Sequence, residues 1–481
     1  MAEILSQIEH IVVVMLENRS FDTMLGWLYA NGAAPPSQYL GNVAEPAQFD
    51  GLNHDLWNPQ NEGFFNGDPP DKLKVMDSAT STVDPDPDPL EDFTNVAKQL
   101  YGPAGVATQD PEYPNLGFVI NYMGPANGNS PVEIMEPYSP DQLPVLSGLA
   151  RNYAVSDAWF CSVPSETWPN RSFVHAGTSN GHVVNGKPPD PLVWNSKTIF
   201  EVLGDMGKDW KVYSDTLLTP ALTLLMFPRL TGSLDHFAHF SEFTKACAGG
   251  SLPAYSFLEP SFLDHPNDYH PPHDVVAGEQ FVYQVWQAVS QSPKWNETLL
   301  IITFDEHGGT YDHVMPPWSA ACPDTQGNPG ELEFTFDRFG VRVPMVVVSP
   351  WIQAGTVFRS DTNTPYDHTS ILATLRDWLG IPADKMLPSK RIAEAPTLAQ
   401  LLTLETVRTV LPEISQPAVA VQETDTLRPT NHLQESLVAA QASRRGLDPQ
   451  DTLNNVKTRE QAIRFFREQG PPPQAAGVTH P

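Results

Sequence analysis

Cysteine is scarce: the 481 residues hold three, Cys161, Cys247 and Cys322. They are odd in number, far apart and without a CxxC pair, which excludes a disulfide framework and a thiolate zinc site and leaves free thiols. Positive charge is also short. Lys and Arg total 28 against 57 Asp and Glu, a net charge of −29, and a field of that sign repels nucleic-acid backbones and anionic membranes as general partners. A phosphorylated substrate would therefore need local positive charge, and a metal ion provides it. No run approaches the roughly 18 apolar residues of a spanning helix, so no transmembrane segment is expected. The opening MAEILSQIEHIVVVML has neither a basic leader nor a small-residue cleavage site. It reads as a soluble protein without a conventional export signal, cytoplasmic or exported by a signal-independent route. Apolar content is not lacking: 40% hydrophobic residues, 11 Trp and 23 Phe exclude a disordered chain.

Two apolar runs stop abruptly at acids. Residues 11–16, IVVVML, meet Glu17 and Asn18, and residues 299–304, LLIITF, meet Asp305 and Glu306. Runs of this length, rich in β-branched residues, read as strands buried on both faces of a parallel sheet. Ligand sites in such sheets lie beyond the carboxyl ends of the strands, so the two ends can converge on one crevice. Four oxygen donors there suit a hard divalent cation better than an unaided acid and base. The bland alternative is that strand-ending acids face water. Against it stand the dense polar segments that follow, ENRSFD at 17–22 and DEHGGTYDH at 305–313, the latter with potential ligands on both sides of a Gly pair that permits close backbone approach.

Residues 31–115 are rich in Pro, Gly, Asn and Asp, with VDPDPDP at 83–89, and read as an insertion of loop character packed over the sheet. Residues 142–151 carry helical spacing, 153–160 a strand or an approach to a site, and 211–214, 254–258 and 343–348 further short strands. Helical spacing returns at 280–291 and 369–379. The alternation implies an α/β fold, a mostly parallel sheet flanked by helices. Residues 1–410 form the expected catalytic domain. Residues 411–481 form a helical C-terminal extension, with amphipathic stretches in HLQESLVAAQASRRG and TREQAIRFFREQG and a disordered PPPQAAGVTHP end.

The segment WFCSVPSETWPNRSFVHAG places Thr167 just ahead of Pro169, near an expected helix start. Unpaired backbone N–H groups make such a start an anion site. Thr167 is either an ordinary N-cap or a nucleophile. Asn170 and Arg171 on the same turn favour the nucleophile, since a guanidinium with an amide beside it can hold phosphoryl oxygens. Ser165 is the competing hydroxyl.

ENRSFD at 17–22, PSETWPNR at 164–171, DEHGGTYDHV at 305–314 and DHTSILATL at 367–375 together resemble the bacterial phosphoesterase family that contains the phosphatidylcholine-type phospholipases C and the acid phosphatase AcpA. The four ordered motifs span nearly the whole chain. The resemblance implies an alkaline-phosphatase-like α/β fold and metal-dependent hydrolysis of phosphate esters through a covalent phosphothreonine. By motif, Glu17, Asn18, Asp305 and Glu306 hold the metal and Thr167 is the nucleophile. Asn170, Arg171 and His313 contact substrate. His270, in a segment with Asp264, His265 and Asp268, is the functional histidine and the acid for the leaving alcohol. His368 either bonds the transferring phosphoryl group or caps the helix that follows. Where many relatives carry a histidine, this chain reads PLEDF at 89–93, and Glu91 or Asp92 takes a different role. The metal's identity is open among calcium, manganese, iron and zinc.

The expected partner is a phospholipid or a small phosphate ester; cleavage of phospholipid headgroups leads, with phosphomonoester hydrolysis as the alternative. A choline-type headgroup favours an aromatic cage, for which Trp57, Trp159, Trp168 and Tyr311 are candidate walls. A sulfatase reading lacks its formylglycine signature. A binding protein with a purely structural cation is the non-enzymatic alternative.

Overall fold

The computed structural model describes residues 4–30, 32–124, 129–185, 194–216, 218–323, 329–420 and 426–469. At its centre is a nine-stranded sheet made of β1 (His10–Leu16), β2 (Gln38–Leu40), β3 (Ala154–Ser156), β4 (Trp210–Ser214), β5 (Phe237–His239), β6 (Tyr255–Glu259), β7 (Thr298–Phe304), β8 (Met345–Val348) and β9 (Thr356–Phe358). The order across the sheet is β2-β9-β3-β8-β7-β1-β6-β4-β5. Every neighbouring pair is parallel except those made by β8, which runs antiparallel to both β7 and β3. The carboxyl ends of β1, β3, β6 and β7 therefore lie on one edge.

Both apolar runs are fully buried as expected. Ile11 to Leu16 and Leu300 to Ile302 have no exposed surface, and burying each such aliphatic side chain stabilises by about 1.5–3 kcal/mol. Register follows from that burial, because a one-residue slip would turn each strand's side chains to the opposite face. The pairing runs from His10 with Thr298 to Leu16 with Phe304. Glu17 and Asp305 are thus the next residues of two adjacent parallel strands, which lie roughly 4.8 Å apart.

Helices cover the sheet. Pairs in contact include α1 (Pro144–Asn152) with α3 (Val275–Ser290), and α2 (Thr167–Ala176) with α4 (Thr369–Leu379). Expected and observed elements differ at their edges. The strand expected over 343–348 begins only at Met345, and the helix expected over 280–291 begins at Val275, where Asp274 caps it by accepting from the Val276 N–H.

The insertion is more ordered than its composition suggests. It contributes edge strand β2, a hairpin of Trp57–Pro59 with Lys72–Lys74, and helix Phe93–Tyr101, and helix Phe118–Met123 follows it. A second apolar cluster holds it together, built on Trp27, Val96, Leu100, Phe118, Tyr122 and Met135. Proline-rich composition signalled loops, but burial of Leu52, Val75, Val96 and Leu100 overrode it. No helix among the described residues is long and apolar enough to cross a membrane.

The C-terminal segment forms α5 (His432–Arg444), a short helix Pro449–Asn455, and α6 (Arg459–Gln469). Asn431 and Gln434 close a capping box at the start of α5. The Gln434 amide donates to the Phe262 carbonyl at 3.0 Å, and Arg459 Nε donates to that of Leu263 at 2.6 Å. The extension is thereby tied to the loop after β6. The PPPQAAGVTHP end lies outside the described residues.

Candidate active site

Thr167 is the first residue of α2, and the N-cap position belongs to Glu166, whose side chain makes no capping bond. Of the two roles open to Thr167, capping is therefore not used. Its hydroxyl instead lies 3.3 Å from Glu17 Oε2 and 3.5 Å from Asn18 Oδ1. The rival Ser165 hydroxyl donates to the Val183 carbonyl. Around Thr167 the strand ends supply acids. The Asn18 backbone N–H donates to Asp305 Oδ1 at 3.1 Å, and Glu306 accepts from the Gly308 N–H at 2.7 Å. Asn18 adopts a left-handed φ of 50°, which Asn tolerates better than most residues.

Arg171, one turn along α2, ion-pairs with Glu17 and places Nε 3.5 Å from Asp305 Oδ2. Its Nη1 has no hydrogen-bond partner. Asn170 does something other than expected. Its amide accepts from the Val163 N–H and donates to the carbonyls of Val163, Ser165 and Glu166 at 2.9–3.1 Å. All its polar atoms are committed to the backbone of the loop before α2. It positions Thr167, and no group remains for a phosphoryl oxygen.

The PLEDF departure resolves by division of labour. Asp92 caps the helix Phe93–Tyr101, accepting from the N–H groups of Thr94 and Asn95. Glu91 turns inward and accepts from the Asn18 amide at 2.9 Å. Glu17, Glu91, Asp305 and Glu306 are all fully buried. Burial, the largest cause, holds the carboxyls of Glu17 and Glu306 well above their ordinary range; Asp305 adds to both, Glu91 adds to Glu306, and Arg171 opposes the rise at Glu17. Burial likewise pushes Glu91 up to about 8. Glu91 Oε1, Asp305 Oδ2 and Glu306 Oε1 have no hydrogen-bond partner. Buried carboxylates without partners are costly, and oxygen atoms left open in this way fit a divalent cation.

His368 does not cap α4. Asp367 does so, accepting from the Thr369 N–H. The His368 ring lies between the Asp305 carbonyl, 2.6 Å from Nε2, and the Trp159 indole, 3.4 Å from Nδ1. An indole only donates, so Nε2 carries the proton that binds Asp305. Burial lowers the His368 pKa, and the ring orients Asp305 as a neutral group. His270 follows Tyr269, whose φ of 73° is rare for a bulky residue and a strain of the kind that gathers at functional sites. Burial brings the His270 pKa down to about 3. Its Nδ1 lies 2.6 Å from the Pro271 carbonyl, and Nε2 has no hydrogen-bond partner. A neutral ring with an open lone pair accepts or ligates, which departs from the leaving-group acid expected of it.

His313 is held elsewhere, 2.6 Å from Asp22 and 3.2 Å from Asp50. Arg342 completes that network with Asp22 and Asp312 at 2.9 and 3.0 Å. The proposed aromatic cage does not assemble. Trp159 stacks on Tyr366, Trp168 packs on Trp194, Tyr311 on Phe118, and Trp57 lies under Lys72. One acid was not singled out in the sequence: Glu166, whose carboxyl burial raises to about 7. It lines a cavity of about 570 Å³ with Asn185, Glu331, His432 and Glu435. Its only sequence signal was adjacency to Thr167.

A hydroxyl at a helix start, set among buried carboxylates at parallel strand ends, is an arrangement suited to transfer of an anionic group. The profile described as Phosphoesterase family matches residues 8–382. Non-specific phospholipase C6 of Arabidopsis thaliana is 35% identical over 433 residues, covering 86% of this chain and 76% of its own. Phospholipase C B of Mycobacterium tuberculosis is 28% identical over 435 residues, covering 79% and 75%. A solved protein of the alkaline phosphatase superfamily from Vibrio parahaemolyticus overlaps 53% of this chain and 64% of its own at 13% identity, with a TM-score of 0.32, too partial a likeness to build on. The chain belongs to the Phosphoesterase family. It is a hydrolase acting on phosphate ester bonds.

Proposed function

We propose that this protein cleaves phospholipid headgroups in the manner of a phospholipase C, through a phosphothreonine at Thr167. The observation that carries the reading is the Thr167 hydroxyl, free of any capping bond and 3.3 Å from the Glu17 carboxylate. The names of the relatives, phospholipases C of plant and bacterial origin, support the substrate class.

The Thr167 oxygen forms a bond to phosphorus as the bond from phosphorus to the leaving alcohol breaks, and its proton passes to Glu17 Oε2. Arg171, with Nη1 open, donates to a phosphoryl oxygen. The departing alkoxide takes its proton from Glu166. A carboxyl poised at about 7 is matched to that task near neutral pH, and the cavity against it receives the alcohol. Water then attacks the phosphothreonine and gives its proton to the Glu166 carboxylate as the bond from phosphorus to the Thr167 oxygen breaks and that oxygen regains its proton from Glu17; two displacements leave the configuration at phosphorus retained. Glu17, Asn18, Asp305 and Glu306 would hold a divalent cation, which would supply Lewis-acid polarisation of the phosphoryl group and a lower pKa for the attacking hydroxyl. His368 and Asn170 act by position, the first on Asp305 and the second on the loop before Thr167.

The test is parallel hydrolysis of phosphatidylcholine, a sphingomyelin analogue and p-nitrophenyl phosphate, with metal analysis of the same sample and mass spectrometry of acid-quenched protein. Phospholipid turnover that chelation abolishes, with a phosphate adduct on the Thr167 peptide, is the expected result. Turnover of the monoester alone would make the protein a phosphatase. Full activity after chelation, or an adduct at another residue, would overturn the mechanism.

A further inference from the structure

Beside the carboxylates that face Thr167 lies a second set of donors. Asp88, Glu91 and His270 each present one ligand atom, and these atoms all fall within 4.8 Å of one another. Glu91 Oε1 is 4.0 Å from His270 Nε2. It is also 3.8 Å from Nδ1 of His432, the first residue of α5 in the C-terminal segment. Three separate stretches of chain thus converge: the insertion, the loop after β6, and the extension.

The state of these atoms is informative. Asp88 Oδ1, Glu91 Oε1, His270 Nε2 and His432 Nδ1 are all shielded from solvent, and none has a hydrogen-bond partner among the described residues. Glu91 and His270 have no exposed surface. Leaving a buried polar atom unsatisfied costs about 1–3 kcal/mol, so the three that stand within 4.8 Å of one another, with His432 Nδ1 3.8 Å from Glu91 Oε1, mark a position built for something that bonds to them. The remaining atoms are spoken for. His270 Nδ1 lies 2.6 Å from the Pro271 carbonyl, fixing the ring so that Nε2 carries the lone pair. Glu91 Oε2 accepts from Asn18, which holds Oε1 toward the histidines.

We propose that Asp88, Glu91, His270 and His432 bind a second divalent cation, of the borderline class that takes mixed imidazole and carboxylate ligands, such as zinc or manganese. Two nitrogens and two oxygens suit such ions, whereas calcium prefers oxygen alone. For a tetrahedral ion with bonds of about 2.0–2.1 Å, neighbouring donors stand roughly 3.4 Å apart. Closing from the observed 3.8 and 4.0 Å about Glu91 takes side-chain shifts of about half an ångström, and drawing in Asp88, whose donor lies within 4.8 Å of those of Glu91 and His270, takes up to about 1.4 Å. The Glu91 carboxylate joins the two sets of donors, since its other oxygen binds Asn18 of the first. This gives buried Glu91 a role and the extension a reason to fold back onto the catalytic sheet.

The test counts metal and does not depend on turnover. Full-length protein is stripped with chelator, dialysed against zinc or manganese, and analysed for bound metal, with anomalous diffraction from crystals of the loaded protein. One more equivalent in the wild type than in His432→Ala and His270→Ala is expected, with an anomalous peak bonded to Glu91 Oε1 and His270 Nε2. Should His270→Ala fail to fold, the half-exposed His432 still provides a variant whose integrity circular dichroism checks. Equal stoichiometry in the wild type and His432→Ala, or no peak at Glu91 and His270, would overturn the assignment. Failure to hydrolyse phospholipid would not, because metal count and hydrolysis are separate readouts.

Discussion

Gly308 offers a measurement of how tightly the strand-end geometry is held. Its φ is 61°, and a Cβ added there would stand 2.1 Å from the Asn18 carbonyl oxygen and 2.8 Å from the Asn18 Cβ. Two costs follow from Gly308→Ala. The left-handed backbone costs an L-residue about 1–2 kcal/mol. Relieving the clash from 2.1 Å to an ordinary contact of 3.4 Å needs movement of more than 1 Å, an overpacking of about 1–3 kcal/mol. Asn18 is the residue that must move, and it touches Thr167, Asp305 and Glu91 at once. A displacement of about 1 Å at a reacting centre costs on the order of 10² in rate. Gly380 is the control: its φ is 59°, it ends α4, and an added Cβ would meet nothing within 4 Å. Gly380→Ala should therefore lose only the backbone cost and keep its kcat/KM. Gly308→Ala should lose about 2–5 kcal/mol in urea unfolding and roughly a hundredfold in kcat/KM. A Gly308→Ala protein with kcat/KM within about threefold of wild type would show that the spacing of Asn18 to Thr167 is not what the chemistry depends on.

Thr167→Ala should lower kcat/KM by about 10⁴ or more, equivalent to at least about 5 kcal/mol of barrier. Because the hydroxyl makes only bonds of 3.3 and 3.5 Å, stability should fall by less than about 1 kcal/mol; Thr167→Ser should stay active, and equal rates for Thr167→Ala and wild type would exclude the nucleophile. In the wild type kcat should decline as pH rises through about 7, where Glu166 loses its proton; Glu166→Gln should lose that limb and about 10² in rate, and an unchanged profile would remove Glu166 as the acid. At His313, burial opposes the charged form, but Asp22 and Asp50 outweigh it and push the pKa up to about 10. A folded pKa above the unfolded value of about 6.5 means the stabilisation is complete below that pH and is lost as pH rises toward 10. The urea stability of wild type over His313→Gln, about 1–2 kcal/mol in mild acid, should narrow along that window, and a constant gap would refute the pairing.

What local pattern could carry, it carried well. The apolar runs at 11–16 and 299–304 named the two central strands and the acids at their ends, because burial on both faces leaves a readable composition. The ordered motifs placed Thr167, Asp305 and Glu306 in one family. Composition understated the order of the insertion, whose rings pack on one another, Trp57 on Phe64 and Phe64 on Tyr113, and whose Val96 and Leu100 join a cluster with residues outside it. Asn170 and Arg171 looked alike as phosphate contacts, and nothing in their spacing told that the amide binds its own loop while the guanidinium stays open.

By itself the sequence determined the class of fold, the strand-end acids and the hydroxyl beside the helix, all properties of contiguous stretches whose periodicity and chemistry are local. Only the tertiary structure decided that Ser165 is engaged elsewhere, that His313 serves another network, and that Glu91, His270 and His432 meet. Those outcomes depend on which buried polar atoms find partners across separations of about 20 to 340 residues, and no stretch of sequence contains that information.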